Sequence, residues 1–227
     1  MKDKRVLVLT GASDDFPCRE GDVEFSKVYE LTLKSKRNYA EKHGYDYMEL
    51  RSFGSDPRNI LNEKEVGFLR AVRCFEMLKT YDVVMWIDGD SIITNDSFQA
   101  EDFIEDGKVL SVSRDWCGVP SLSSGNFVLY NTEGSDEFID NFYSVAQFTG
   151  APQEQQTFRG LFGTGQIKML HHDYLNAVSS HQEECNIWHD RAKVQNVWSE
   201  NSFLVHLTGL TNRDRIELMR KYFSDYL

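Results

Sequence analysis

Apolar positions change their period along this chain, and each change marks an element. Val6 to Leu9, between Arg5 and Thr10, is an apolar run short enough for a first strand, and the polar loop Gly11-Ala12-Ser13-Asp14-Asp15 follows it. From about Glu24 to His43, Val28, Leu31, Ser35, Tyr39 and Lys42 recur at helical spacing, and Gly44 stands as a stop. Tyr45 to Leu50 reads as a second strand. The resulting strand, helix, strand unit is how a parallel sheet begins. Residues 51 to 65 are polar, with Gly54, Pro57 and Asn59, and predict a loop. A second helix is expected from about Glu65 to Lys79, its apolar face carrying Phe68, Leu69, Val72, Phe75, Met77 and Leu78. The unbroken run Val83-Val84-Met85-Trp86-Ile87 predicts a strand buried on both faces.

Beyond it the pattern predicts a helical or irregular stretch through Phe103 and a strand at Lys108 to Ser113. A strand from Gly125 to Asn131 follows, entered through a small-residue turn, Ser121 to Gly125. Then come a helix from about Ser135 to Phe148, the first turn of another at Pro152 to Phe158, a short strand at Phe203 to Leu207 and a closing helix from about Arg213 to Tyr226. Strands and helices alternate throughout, so the fold class is α/β.

The buried run at Val83 leads straight into Asp88-Gly89-Asp90. Residues two apart on an extended chain point the same way, and a glycine between them lets a ligand approach the backbone. Two carboxylates on one face repel unless something positive lies between them. A hard divalent cation such as Mg2+ or Mn2+ fills that place and keeps positions open for phosphates, which points to a phosphate-bearing ligand. Taken alone, Asp-x-Asp is more often an acidic turn after a core strand. In open α/β sheets ligands sit beyond the carboxyl ends of the strands, so the loop Thr10 to Ser13 and the Asp88/Asp90 pair can meet at one site.

Composition narrows the partners. With 227 residues the chain suits a single domain, and its net charge of -11 argues against a nucleic-acid groove or an anionic lipid surface. No stretch approaches the roughly 20 apolar residues of a membrane span, and the first apolar run is too short for a signal peptide. The four cysteines, Cys18, Cys74, Cys117 and Cys185, are scattered without a Cys-x-x-Cys, which reads as reduced thiols in a cytosol. There is no internal repeat or clear linker.

The order of short motifs is more specific than any of them. Phe68-Leu69-Arg70, Ile87-Asp88-Gly89-Asp90, Ser124-Gly125-Asn126-Phe127, Glu154-Gln155 and His206-Leu207-Thr208-Gly209, in that order, resemble the retaining nucleotide-sugar glycosyltransferases of the A-type fold. The galactosyl- and xylosyltransferase-like families 34 and 8 show that sequence of landmarks. The resemblance implies a single-domain A-type fold with a Rossmann-like, mostly parallel central sheet flanked by helices. Residues 1–95 would form the nucleotide-binding half and residues 96–227 the acceptor-binding half.

It further implies a UDP-sugar donor, a glycan or glycoprotein acceptor, and Mn2+ or Mg2+ held by Asp88, Asp90 and His206. A mixed oxygen and imidazole set suits Mn2+ better than Ca2+. Thr10, Gly11, Ala12 and Ser13 would hold uracil and ribose, and Gly125 and Asn126 would let the sugar approach the backbone. Gly209 and Arg213 would lie by the phosphates. Arg70 would bind the donor or orient the Asp88/Asp90 carboxylates, with Arg73 one turn later as a rival. Glu154 and Gln155 would lie by the transferred sugar.

Two departures from the family pattern are visible. Glu154 replaces the more usual aspartate, and the lysine expected a few residues beyond His206 is missing, with Asn212 at that spacing and Arg213 or Arg215 close by. Trp116, Trp188 and Trp198 could line an acceptor cleft, though each is equally a core residue.

Asp88 and Asp90 also fit the first motif of haloacid-dehalogenase-like phosphatases, and the two departures leave room for a noncatalytic nucleotide-sugar or glycan-binding module. The expected location is cytoplasmic; a trimmed Golgi-type catalytic domain is the other reading of a chain that starts at its first strand.

Overall fold

The computed structural model describes residues 4–12, 21–54, 66–115, 122–149, 154–181 and 197–227. Its elements are β1 (Val6–Gly11), α1 (Phe25–His43), β2 (Asp46–Leu50), α2 (Val66–Met77), β3 (Val83–Ile87), β4 (Ser91–Ile93) and a 3-10 turn at Ala100–Phe103. These are followed by β5 (Leu110–Arg114), β6 (Leu122–Tyr130), α3 (Ser135–Thr149), α4 (Glu154–Leu161), β7 (Ile167–Leu170), α5 (His172–Leu175), β8 (Leu204–His206) and α6 (Asn212–Tyr222).

The central sheet runs β2-β1-β3-β6-β5-β7. β1 pairs in parallel with both β2 and β3, and β5 in parallel with β7; β6 alone runs against its neighbours β3 and β5. This is the α/β, mostly parallel sheet that the alternation predicts. β4 and β8 form a separate two-stranded antiparallel ladder at the end of β3, with Ser91 opposite His206.

β3 is apolar throughout because both its faces are covered. Val84 and Trp86 join Leu7, Leu9, Phe127 and Leu129 under α2, α3 and α4. Val83, Met85 and Ile87 join Val6 and Val8 in a second layer with Tyr39, Ala40, Phe103 and Phe203. Alternate residues of one strand thus feed two cores.

Several expectations are corrected. β6 starts at Leu122, so Ser123 and Ser124 belong to the strand rather than to an entry turn; the register shifts between Val112 and Ser113 of β5, which pair with Phe127 and Ser123, so the extra residues, Ser124 to Asn126, lie on β6. The buried face of α1 is Val28, Tyr29, Thr32, Leu33, Ser35, Lys36, Tyr39 and Ala40; Lys42 is exposed and pairs with Asp96 at 2.7 Å. That arc is wide because α1 packs on the sheet, on β4 and on α6. β4, β7 and α5 were not expected; each has three or four residues, too few to establish a period. Gly44 ends α1 as expected, at φ 68°, its N–H meeting the carbonyls of Ala40 and Glu41.

Phe142 on α3 is the hub of the larger core, with ring centroids 5.1 Å from Phe68, 5.0 Å from Phe75 and 5.2 Å from Phe158. It joins α2, α3 and α4 in one aromatic cluster. Phe142→Ala is expected to lower stability by about 3–5 kcal/mol, read from urea unfolding.

Candidate active site

β3 ends at Ile87, and the chain turns through Asp88-Gly89-Asp90 into β4. The turn closes with Ser91 N–H donating to Asp88 O at 3.1 Å. Because β4 pairs with β8, His206 is delivered beside Asp90: its Nε2 lies 3.3 Å from Asp90 Oδ1 and 3.8 Å from Asp88 Oδ2. One ligand atom from each of Asp88, Asp90 and His206 falls within 4.8 Å of the others. Gly89 has no room for a side chain, since a Cβ there would stand 2.8 Å from the Phe25 ring and 3.3 Å from Gly11 O.

The histidine's tautomer follows from its neighbours. Asn176 Nδ2 donates to Arg114 O at 3.0 Å, which turns Oδ1 of the same amide toward His206 Nδ1, also at 3.0 Å. Nδ1 is therefore a protonated nitrogen of the ring, and Nε2 is the nitrogen that faces the two carboxylates. Three electron-rich atoms facing one point fit a divalent cation, with Asn176 fixing the histidine from behind. Asn176 was missed in the sequence: nothing in Leu175-Asn176-Ala177 marks it, and only the path of α5 brings it to the histidine.

Lys36, on α1, supports the turn from below. Its fully buried Nζ donates to Asp88 O at 2.7 Å and to Thr32 Oγ1 at 2.9 Å, and Thr32 in turn donates to Gly89 O at 2.9 Å. Burial pushes the Lys36 ammonium down to about 7, against the pull of Asp88 and Asp90.

Arg70 leaves α2 toward two acids at once, bonding Asp88 Oδ1 through one terminal nitrogen and Glu154 Oε1 through the other. Trp86 Nε1 also donates to Asp88 Oδ1, at 3.0 Å, and Ser124 Oγ donates to Glu154 Oε1 at 2.9 Å. Burial works against the Arg70 charge, but Asp88 and Glu154 outweigh it and raise its pKa. Arg73 turns elsewhere, to Phe53 O at 2.6 Å and to Glu76. On the far side Arg215 NH2 lies 3.0 Å from Asp90 Oδ2. Burial alone would raise the Asp90 pKa; Arg215 and His206 reverse that and hold the carboxyl below the usual carboxylate range.

These groups line one cavity of about 310 Å³. Gly11, Ala12, Phe25, Phe53, Trp86, Gly67 and Thr208 complete its wall with Arg70, Asp88, Asp90, Glu154, His206 and Arg215. Thr10 is fully buried below it and accepts from Lys36, and Ser13 lies outside the described residues. Gly125 packs so close that a Cβ would meet His206 Cε1 at 2.3 Å and Asp88 Oδ2 at 3.1 Å. Asn126 is buried behind the wall, accepting from Asp88 N–H and donating to Leu175 O, both at 2.9 Å.

Gln155 is held between Ser124 and Asp115, each at 3.4 Å. Gly209 turns at φ 78° just past Thr208. Of the two arginines near the missing lysine, Arg215 lines the cavity, while Arg213 donates to Gly21 O at 3.2 Å. Arg213 was the one assigned to the phosphates in the sequence. Trp198 donates to Thr94 Oγ1 at 2.9 Å and packs on Phe223, away from the cavity; Trp116 and Trp188 lie outside the described residues.

No model of a known protein family matches this chain, and neither does any curated protein sequence. Its fold, however, is found in solved structures. A glycosyltransferase involved in the glycosylation of the major capsid of PBCV-1 matches with a TM-score of 0.64 at 18% identity, over 95% of this chain and 98% of its own. The galactosyltransferase LgtC, in complex with donor and acceptor sugar analogs, matches with a TM-score of 0.56 at 13% identity, over 97% of this chain and 100% of its own. The bifunctional glycosyltransferase WbbM reaches a TM-score of 0.67 at 11% identity over 96% of this chain, which spans 50% of its length. The chain therefore has the A-type glycosyltransferase fold. Among the described residues no helix is long and apolar enough to cross a membrane.

Two outcomes follow from the geometry. Asn176→Ala frees the histidine ring and is expected to weaken Mn2+ binding about 10–100-fold by calorimetry, with the fold retained by circular dichroism. Asp90, with its depressed folded-state pKa, contributes stability above its unfolded pKa and loses it only as pH falls through the folded value. In chelator, the urea-unfolding difference between the parent and Asp90→Asn should persist through the ordinary carboxylate range and shrink only below it.

Proposed function

We propose that this protein is a metal-dependent glycosyltransferase. It moves a hexose or pentose from a UDP-sugar to a hydroxyl of a glycan or glycoprotein, with retention at the anomeric carbon. The observation that carries this reading is the Asp88, Asp90 and His206 set at one wall of a cavity whose other walls carry Arg70, Glu154 and Arg215. Sugar transfer from a nucleotide needs charge stabilisation on a leaving diphosphate beside a site for a cationic ring, and the cavity offers both kinds of group.

Asp88, Asp90 and His206 would hold Mn2+ or Mg2+, which when bound supplies positive charge for the leaving diphosphate. Arg215 adds a guanidinium on the same side, in the role that the missing lysine would have had. Arg70 fixes Asp88 and Glu154 relative to one another. Gly11 and Ala12, with the Phe53 ring beside them, suit the base and ribose.

In the reaction the bond from the anomeric carbon to the diphosphate oxygen breaks, its electron pair leaving with the diphosphate. The acceptor oxygen forms the new bond on the same face, and its proton passes to a donor phosphate oxygen. Glu154 Oε1 accepts from both Arg70 and Ser124, which lowers its nucleophilicity and favours this front-face path over double displacement through Glu154. Gln155, whose amide oxygen accepts from Ser124 Oγ, would have to turn that carbonyl into the cavity to face the cationic ring.

The test is calorimetric binding of UDP with Mn2+, with Mg2+ and with chelator, followed by a UDP-sugar and acceptor screen. Metal-dependent binding is expected, lost in Asp90→Ala and weakened roughly tenfold or more in Arg215→Ala, where a charge-assisted contact to phosphate goes. Absence of UDP binding under every condition overturns the proposal. Binding without turnover on any acceptor would leave a nucleotide-sugar-binding module instead.

A further inference from the structure

Gly67 lies three residues before Arg70, in the first turn of α2 and on the same side of the helix. Its Cα faces the Glu154 carboxylate from α4. A Cβ built on Gly67 would stand 2.0 Å from Glu154 Oε2, 2.6 Å from Cδ and 2.9 Å from Oε1. The glutamate therefore occupies the space that any other residue at position 67 would fill. Its other oxygen is committed to Arg70 and Ser124, so the carboxylate has one place to lie, across the bare backbone of Gly67. Both residues line the cavity.

We infer that Gly67 is a positioning residue, its missing side chain size-matched to the reach of Glu154 so that the carboxylate and Arg70 sit correctly beside the transferred sugar. The inference rests on the transferase reading of the cavity. An added methyl displaces the tip of one side chain rather than backbone, so the fold survives it. Alanine also favours the helix over glycine. What the methyl moves is the acid on which the Arg70 geometry depends. A shorter arm at position 154 would draw the carboxylate back toward α4 and make room for the methyl. The two sites should therefore compensate one another.

The experiment compares the parent, Gly67→Ala, Glu154→Asp and the double variant. Three quantities are read: Mn2+-dependent UDP affinity, turnover of the UDP-sugar that the screen identifies, and the midpoint of thermal unfolding. Glu154 is outside the proposed metal set, so in Gly67→Ala kcat is expected to fall further than Mn2+-dependent UDP affinity. The fall should approach 100-fold, the order of loss for a misplacement near 1 Å. The double variant is expected to regain roughly tenfold over Gly67→Ala, a non-additivity that independent sites do not show. Parent-like turnover in Gly67→Ala, or a double variant no better than the product of the single losses, overturns the inference.

A parent chain that binds no UDP overturns the transferase reading separately. Size matching is then decided by the unfolding midpoints: a double variant above the sum of the single shifts upholds it, and additive shifts overturn it.

Discussion

Asp88, Asp90 and Glu154 bring three carboxylates to the wall of one cavity, where their repulsion is stronger than in open water and has to be offset. Arg70 ties Asp88 to Glu154, and Arg215 holds Asp90. The first arginine comes from α2 and the second from α6, far apart in the chain. Docking of those helices is thus coupled to the pairing of the acids. The remaining positive charge, Lys36, lies beneath the turn, and burial works against its being charged. A site built this way is under-compensated at its open face, where His206 and the two aspartates converge, and that imbalance is what a divalent cation would relieve.

The groups that set this geometry lie behind the cavity wall. Lys36 and Thr32 hold the carbonyls of Asp88 and Gly89 from below, Asn126 holds the Asp88 N–H, and Asn176 holds the far side of the His206 ring. They come from α1, from β6 and from the residue that ends α5. Each satisfies a polar group that would otherwise be buried without a partner, so the same bonds that keep the backbone stable also aim the ligands. Glycines do the complementary work: Gly67, Gly89 and Gly125 are positions where an atom of the site stands in the place of a Cβ.

Much of the fold was legible because its main signals are strong. A five-residue apolar run marks β3, and long periodic segments mark α1, α2 and α3. The order of the short motifs pointed to the A-type fold. What failed did so for physical reasons. β4, β7 and α5 are too short to show a period. The start of β6 was hidden because serines inside a buried strand look like turn residues until their partners are known. Arg213 and Arg215 are equivalent by spacing; which one reaches the cavity depends on the phase of α6, fixed when Asn212 anchors its first turn through Asp22 and Val23. Lys36 carried no signal, since a lysine on a helix is ordinarily solvated.

By itself the sequence determined the α/β alternation, the placement of an Asp-x-Asp at the end of the most buried strand, and the list of residue types from which a site could be drawn. Those are properties of neighbours in the chain, set by periodicity and by the cost of leaving apolar surface in water. Only the tertiary structure decided which arginine pairs with which acid, that His206 stands across from Ser91, that Asn176 sets its tautomer, and that Gly67 makes room for Glu154. These are contacts between residues far apart in sequence. They exist only once packing has fixed distances to within an ångström, which no local pattern specifies.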